Sequence, residues 1–232
     1  MAKFRTRARA LDMLGRQQIA GIPTAISELF KNAHDAYADN VEVDFFRSDG
    51  LFVLRDDGIG MTREEFESRM PPPPPDPGKR PRALLGEKGI GRLAIAVIGP
   101  QVLVFTRAVR GDDQHPLVAA YLHWGLFECA GIDLDDIIVP IREFGPGTIP
   151  VAEDVRVMVE EFGTNLDSLA DQLDEKQVAA IRKDLDRFHP DPGQIDADLG
   201  APSLSGTGRG THFIIQPASD LLQDDIDAGT NE

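Results

Sequence analysis

Apolar and polar positions follow two periods along this chain, and they divide its first half into a helix and a hairpin. At about 100° per residue, Ile22, Ile26, Leu29, Ala33 and Tyr37 share one side of a segment over 21–38, which predicts a helix. Pro23 falls in its first turn, where proline is tolerated, and Asp39-Asn40 end it. Glu28, Asn32 and Asp35, spaced i, i+4, i+7, share a second face away from the apolar one. Val41–Phe46 alternates like a strand, Leu51–Leu54 is a second, and Ser48-Asp49-Gly50 between them signals a hairpin turn. The second strand runs into Asp56-Asp57-Gly58-Ile59-Gly60-Met61. Thr62 and Glu65 then form a capping box that starts another helix.

Beyond this the pattern changes. Residues 70–82 carry five successive prolines, Pro71 to Pro75, in a polyproline-prone surface segment. Gly86–Gly91 opens a short apolar helix, Leu93–Ile98, ended by Gly99-Pro100. Strand-like runs follow at Val102–Thr106, Leu117–Trp124 and Ile137–Ile141. Residues 164–188 read as an exposed helix laced with Asp167, Glu175, Lys176, Arg182, Lys183 and Asp186. Gly206-Thr-Gly208-Arg-Gly210 introduces a final strand at His212–Gln216. Without a regular βαβ alternation, the mixture predicts α+β or an antiparallel-rich sandwich.

Composition narrows the function classes. A chain of 232 residues can bury a full core, and its net charge of −15 argues against a general nucleic-acid surface. The charge is uneven: residues 1–16 hold Lys3, Arg5, Arg7, Arg9 and Arg16 against Asp12, a basic arm on an acidic whole. No run of eighteen apolar residues or signal-peptide core is present, so neither a membrane span nor secretion is expected. The single Cys129 forms no internal disulfide and reads as a small core residue of a cytoplasmic protein.

Four motifs carry the candidate chemistry. Asp56 at a strand end, with Gly58 and Gly60 behind it, lets a flat ring approach the backbone and offers a carboxylate to an exocyclic amine. An EF-hand reading fails, because setting Gly58 as the invariant glycine puts Val53 and Arg55 at the first and third ligand positions. Gly86-Glu-Lys-Gly89-Ile-Gly91-Arg92 leads into a helix and resembles an anion-binding turn. It has neither the spacing of a P-loop nor the position of a dinucleotide fingerprint. Glu28 could activate a water and Asn32 could offer an oxygen to Mg²⁺.

The ordered set Glu-x-x-x-Asn-x-x-Asp-Ala, Asp-x-Gly-x-Gly-Met, Gly-x-x-Gly-x-Gly and a late Gly-x-Gly-Thr resembles the ATP-binding boxes of the GHKL superfamily. That group includes gyrase B, the ninety-kilodalton heat-shock chaperones, MutL-type repair proteins and sensor histidine kinases. The resemblance spans about residues 20–216 and implies a Bergerat-type two-layer α/β sandwich: a mixed, mostly antiparallel sheet with helices on one face. It implies Glu28 as the catalytic base and Asn32 as the Mg²⁺ ligand. Asp56 would bind the adenine amine of ATP, with Gly58, Gly60 and Met61 in the adenine pocket and Asp35 supporting the adenosine end. Gly86, Lys88, Gly89, Ile90, Gly91 and Arg92 would meet the phosphates, and Thr211 would back the adenine through water shared with Asp56.

The expected organisation is a basic arm at 1–16, an ATP-binding domain at 17–219 and an acidic tail at 220–232. Within the domain fall a short proline-rich lid at 67–85 and a charged helical insertion at 163–189. The expected function is slow, Mg-dependent ATP hydrolysis driving a conformational switch. The arm would serve a homodimer, and a downstream transducer domain or partner subunit would supply the output. A histidine kinase catalytic domain and a non-hydrolysing ATP-binding module are the alternatives. Glu28 counts against the kinase, which must not activate water.

Overall fold

The structure, a computed structural model, describes residues 8, 21–68, 82, 85 and 94–222. The Gly86–Arg92 loop, the proline run, the tail from 223 and the arm apart from Ala8 lie outside the described residues. Ala8 itself is buried and donates its N–H to Ile132 O at 3.1 Å.

Six strands form one sheet: β1 (Val41–Phe46), β2 (Leu51–Asp56), β3 (Gln101–Arg110), β4 (Asp113–His123), β5 (Ile141–Phe144) and β6 (Gly210–Ile215). Their spatial order is β1-β2-β6-β3-β4-β5, and every pairing is antiparallel. The last strand therefore lies between β2 and β3, which do not pair with each other. Cross-strand partners define rows on one face: Phe52–Ile215–Val102, then Leu54–Phe213–Val104, then Asp56–Thr211–Thr106. Two apolar rows thus give way to a polar one where β2 ends.

Helix α1 (Ile22–Asp35) buries Ile22, Ala25, Leu29 and Ala33, the i, i+3, i+7, i+11 stripe of an amphipathic helix. It stops three residues before the expected end. Tyr37 lies beyond the helix in a left-handed conformation (φ 61°), where Arg82 Nη1 caps the carbonyls of His34 and Ala38 at 3.2 and 2.8 Å. A guanidinium there satisfies carbonyls that a helix end leaves free. Helix α2 (Arg63–Glu67) begins at the expected capping box, with Thr62 Oγ1 accepting from Glu65 N and Glu65 Oε2 from Thr62 N. Helix α3 (Ile95–Ile98) packs against α1, and Gly99 at its end meets Ile215 on the face that carries Asp56. One helical layer therefore covers that face.

A second helical layer covers the other face. It consists of α4 (Ala152–Leu169), α5 (Glu175–Leu185) and α6 (Pro192–Leu199). Phe162 of α4 and Phe188 after α5 pack on Tyr121 of β4, with ring centroids 5.5 and 5.2 Å apart. Ile195 and Asp196 of α6 face Val53, Arg55, His212 and Ile214 across a small internal cavity. The α+β sandwich thus forms as expected, but helices cover both faces of the sheet instead of one, because α4 to α6 bury apolar side chains of their own and add a third layer. Asp167, Glu175, Lys176, Arg182, Lys183 and Asp186 are exposed, as read from the sequence. Helices α4 and α5 bury Val155, Met158, Phe162, Leu166, Ile181 and Leu185, the last three within that charged segment. The expected strand at Ile137–Ile141 begins only at Ile141, because Ile138 N donates instead to the buried Asn165 Oδ1 at 2.9 Å.

Two buried arginines fasten the lead into β6. Arg55 of β2 donates through Nη1 to Gly200 O and Pro202 O, both at 2.8 Å. Arg107 of β3 donates through Nη1 to Leu204 O and through Nη2 to Thr148 O at 2.6 Å. Burial lowers the Arg107 pKa, and Asp196 nearby opposes that shift. Among the described residues no helix is long and apolar enough to cross a membrane.

The turn after β2 packs directly on β3. Gly60 has φ 61°, and a Cβ there would lie 1.9 Å from Arg107 O. Gly111 has nearly the same φ, 62°, with nothing within 4 Å of its Cβ position. Backbone strain alone gives Gly111→Ala a cost of about 1 kcal/mol. Gly60→Ala adds a collision with a central strand and costs roughly 3 kcal/mol or more. Urea unfolding of the two variants tests this, and equal losses would refute the packing constraint.

Candidate functional site

The polar row Asp56–Thr211–Thr106 is the centre of the site. Asp56 is 4% exposed, and its Oδ1 accepts from Gly58 N at 2.9 Å and Thr211 N at 3.2 Å. Among the described residues its Oδ2 takes no hydrogen bond. Thr211 Oγ1 lies 3.1 Å from Thr106 Oγ1, which accepts from Met61 N at 2.9 Å. Asp56, Gly58, Met61 and Thr211, expected together from separate motifs, are brought into one network. Gly210 is what lets β6 come this close: with φ 129°, its Cβ would lie 1.8 Å from Asp56 O.

Burial pushes the Asp56 carboxyl up to about 7, against the lowering effect of its two backbone hydrogen bonds; Asp57 raises it further. A shift from 3.8 to about 7 corresponds to about 4 kcal/mol against the charged form. A ligand that donates a hydrogen bond to the open Oδ2 would recover part of that. Asp57 has the opposite environment. Burial raises it, but hydrogen bonds from Asn40 and Asp39 outweigh this and hold it below the usual range. Its oxygens take Asp39 N at 2.7 Å, Asn40 N at 2.9 Å and Asn40 Nδ2 at 2.7 Å. Asp57 therefore fixes the α1–β1 loop, while Asp56 keeps one oxygen without a hydrogen bond among the described residues.

The C-terminal end of α1 is tied to the same turn. Ile59 N donates to Ala36 O at 2.8 Å. Asp35 Oδ1 accepts from Leu85 N at 2.9 Å, and Arg82 reaches Asp39 as well as the helix carbonyls. Asp35 is thus placed beside the turn and holds the chain just before the glycine-rich loop. Arg110 Nη1 donates to Ile59 O at 2.6 Å, and its Nη2 pairs with Glu65 Oε2 at 2.7 Å. Burial pushes Glu65 up, but bonds from Thr62 and Arg110 outweigh it and hold the carboxyl low.

Glu28 and Asn32 stand one turn apart on α1, Glu28 half-buried and Asn32 exposed. Lys31 Nζ lies 2.5 Å from Glu28 Oε1, an i, i+3 pair. Gly86, Lys88, Gly89, Ile90, Gly91 and Arg92 lie outside the described residues, so their expected meeting with phosphates has no counterpart in this geometry. Thr106, Arg82 and Arg110 were missed by sequence reading. Thr106 lies inside an apolar strand run, and neither arginine belongs to a spaced motif. Only the strand pairing of Thr106 with Thr211 identifies it.

Among the described residues no group of three or more His, Cys, Asp or Glu side chains could hold a metal by itself. The arrangement offers the Asp56 carboxylate as an acceptor at the end of β2 and places an acid and an amide one helix turn apart on α1.

Residues 21–118 match the family described as histidine kinase-, DNA gyrase B- and HSP90-like ATPase. No curated protein matches the chain. The match begins at the start of α1 and ends within β4, so it includes Glu28, Asn32, Asp35, Asp56 and the Gly86–Arg92 loop and leaves Thr211 outside. An ordered set of motifs, an antiparallel sheet under a helical layer, and a buried carboxylate at a strand end agree with that match: residues 21–118 are similar to an ATP-binding domain of the histidine kinase-, gyrase B- and HSP90-like kind.

Proposed function

We propose that this domain binds Mg·ATP with its adenine against Asp56 and hydrolyses it slowly, acting as a conformational switch in a larger protein or assembly. The buried Asp56 carboxylate, whose Oδ2 takes no hydrogen bond among the described residues, carries the reading, since burying a carboxyl without a partner is costly. In this reading Asp56 accepts the exocyclic amine, and Gly58, Gly60 and Met61 form the wall. Asp35 steadies the chain that leads into the Gly86–Arg92 loop, which holds the phosphates. Asn32 gives one oxygen to Mg²⁺, whose chemistry is to neutralise charge on the phosphates. Glu28 orients and deprotonates the attacking water.

Lys31 bears on the last step. While it pairs with Glu28, the carboxylate is occupied, so hydrolysis requires Lys31 to turn aside. That pair favours a second reading, a module that binds ATP without turnover. A homodimer using the basic arm is a further part of the switch proposal, and there Ala8 would have to leave Ile132. A transducer domain or partner subunit would carry the output.

Binding and phosphate release by wild type, Asp56→Asn and Glu28→Ala separate these readings. Asp56→Asn is expected to weaken ATP binding at least tenfold, because the amine then meets an amide of uncertain orientation instead of a carboxylate. Glu28→Ala is expected to bind normally and lose phosphate release by about a hundredfold or more. A wild type that binds ATP and releases nothing selects the non-hydrolysing module. A folded wild type that does not bind refutes the site.

The Asp56 pKa also gives a pH dependence. Asp56 is raised above its unfolded value, so the stability it contributes is full below about pH 4 and lost as pH rises through about 7. His212 works in the opposite sense. Burial first, then Arg55, holds it down at about 3, so its contribution is present above pH 6.5 and lost as pH falls. The two oppose each other in the wild type. Asp56→Asn removes one and should gain up to about 4 kcal/mol on wild type between pH 4 and 8. ATP binding should release a proton below pH 7 and weaken by up to about tenfold per pH unit there. Urea melts and calorimetry in buffers of different ionisation enthalpy test both, and parallel pH profiles for the two proteins would refute the assignment.

A further inference from the structure

Thr106 belongs to no motif, yet it completes the polar row. It is fully buried, so it can reach a ligand only through Thr211. Its hydroxyl oxygen accepts Met61 N–H at 2.9 Å and lies 3.1 Å from both Gly210 O and Thr211 Oγ1. A threonine hydroxyl has a single proton to give. Two arrangements follow. If the proton goes to Gly210 O, Thr211 gives its own proton to Thr106 and shows the pocket only lone pairs. If it goes to Thr211 Oγ1, the Thr211 proton is released and becomes a donor to the pocket.

The base selects between them. In adenine the carbon bearing the amine is flanked by a ring nitrogen that only accepts. An ionised Asp56 accepting the amine therefore needs a donor beside it, which is the second arrangement. We propose that Thr106 is a positioning residue for base recognition: its proton fills Thr211 Oγ1 and turns the Thr211 hydroxyl outward toward that ring nitrogen, directly or through one water. This rests on the reading of Asp56 as the amine acceptor. The strand pairing supports it, since Asp56, Thr211 and Thr106 are direct cross-strand neighbours on one face of β2, β6 and β3. The competing view is that Thr106 merely satisfies Met61 N–H and Gly210 O.

Deleting an atom from each side distinguishes the two. Dissociation constants for ATP and for 1-deaza-ATP, which has CH in place of that ring nitrogen, are measured at pH 8 by calorimetry. The proteins are wild type, Thr106→Val and Thr106→Ser. Wild type and Thr106→Ser should prefer ATP by about tenfold, the worth of one hydrogen bond, and Thr106→Val should bring the ratio close to one. Equal weakening of both nucleotides in Thr106→Val would make the role structural and overturn the proposal. So would a wild type that does not distinguish the two nucleotides. If wild type binds neither, the ATP reading falls with it; if binding depends on Asp56 but the ratio ignores Thr106, only this inference falls. Should Thr106→Val not fold, Thr106→Cys keeps the volume, weakens the donor and serves the same comparison.

Discussion

The sheet exists as one body only because its last strand lies in its middle. β1-β2 and β3-β4-β5 are two separate antiparallel units, and β6 supplies every hydrogen bond that joins them. The rows of the core, the packing of α1 over them and the polar row at the end of β2 all presuppose that insertion. Its partners in β2 are about 155 residues away, as in the Asp56–Thr211 contact, so the chain closes a very long loop before the sheet is complete. Gly210 is part of the same constraint, since any Cβ there would enter the Asp56 carbonyl.

The second helical layer is the means by which β6 arrives. Phe162 and Phe188 seat α4 and the end of α5 on Tyr121, and Asp196 holds Ser203 Oγ and Leu204 N at 2.6 and 3.1 Å. Arg55 and Arg107 then receive the carbonyls of Gly200, Pro202 and Leu204 from the two strands that flank β6. Each arginine is buried because it neutralises several main-chain dipoles that would otherwise lie in an apolar interior. Helices α4 to α6 are therefore a layer of the fold, and the strand that completes the candidate site is their continuation.

At the site itself, one carboxylate is kept in poor solvation while its neighbour is kept comfortable. Asp57 spends its oxygens on the α1–β1 loop, whereas Asp56 has two donors on one oxygen and none among the described residues on the other. Adjacent residues of the same type are thus shifted in opposite directions by burial and hydrogen bonding. Arg82 and Arg110 extend the framework by pinning the helix end and the glycine turn from opposite sides.

The sequence by itself determined the local pieces. The apolar stripe of α1, the hairpin of β1 and β2, the capping box at Thr62 and the glycines at 58 and 60 are read from spacing, because helix, strand and turn preferences act over a few residues. The ordered boxes also indicated the family that residues 21–118 match. Tertiary structure alone decided what no spacing encodes. It placed Thr106 beside Thr211, and gave Arg82 the helix end and α4–α6 the far face of the sheet. The charges of 164–188 concealed an apolar face because a helix can show solvent one side and bury the other. The end of α1 was misread by three residues because a left-handed Tyr37 is stabilised by Arg82, a partner 45 positions away. Side-chain periodicity is local, whereas strand pairing and buried-charge compensation are set by which distant segments meet.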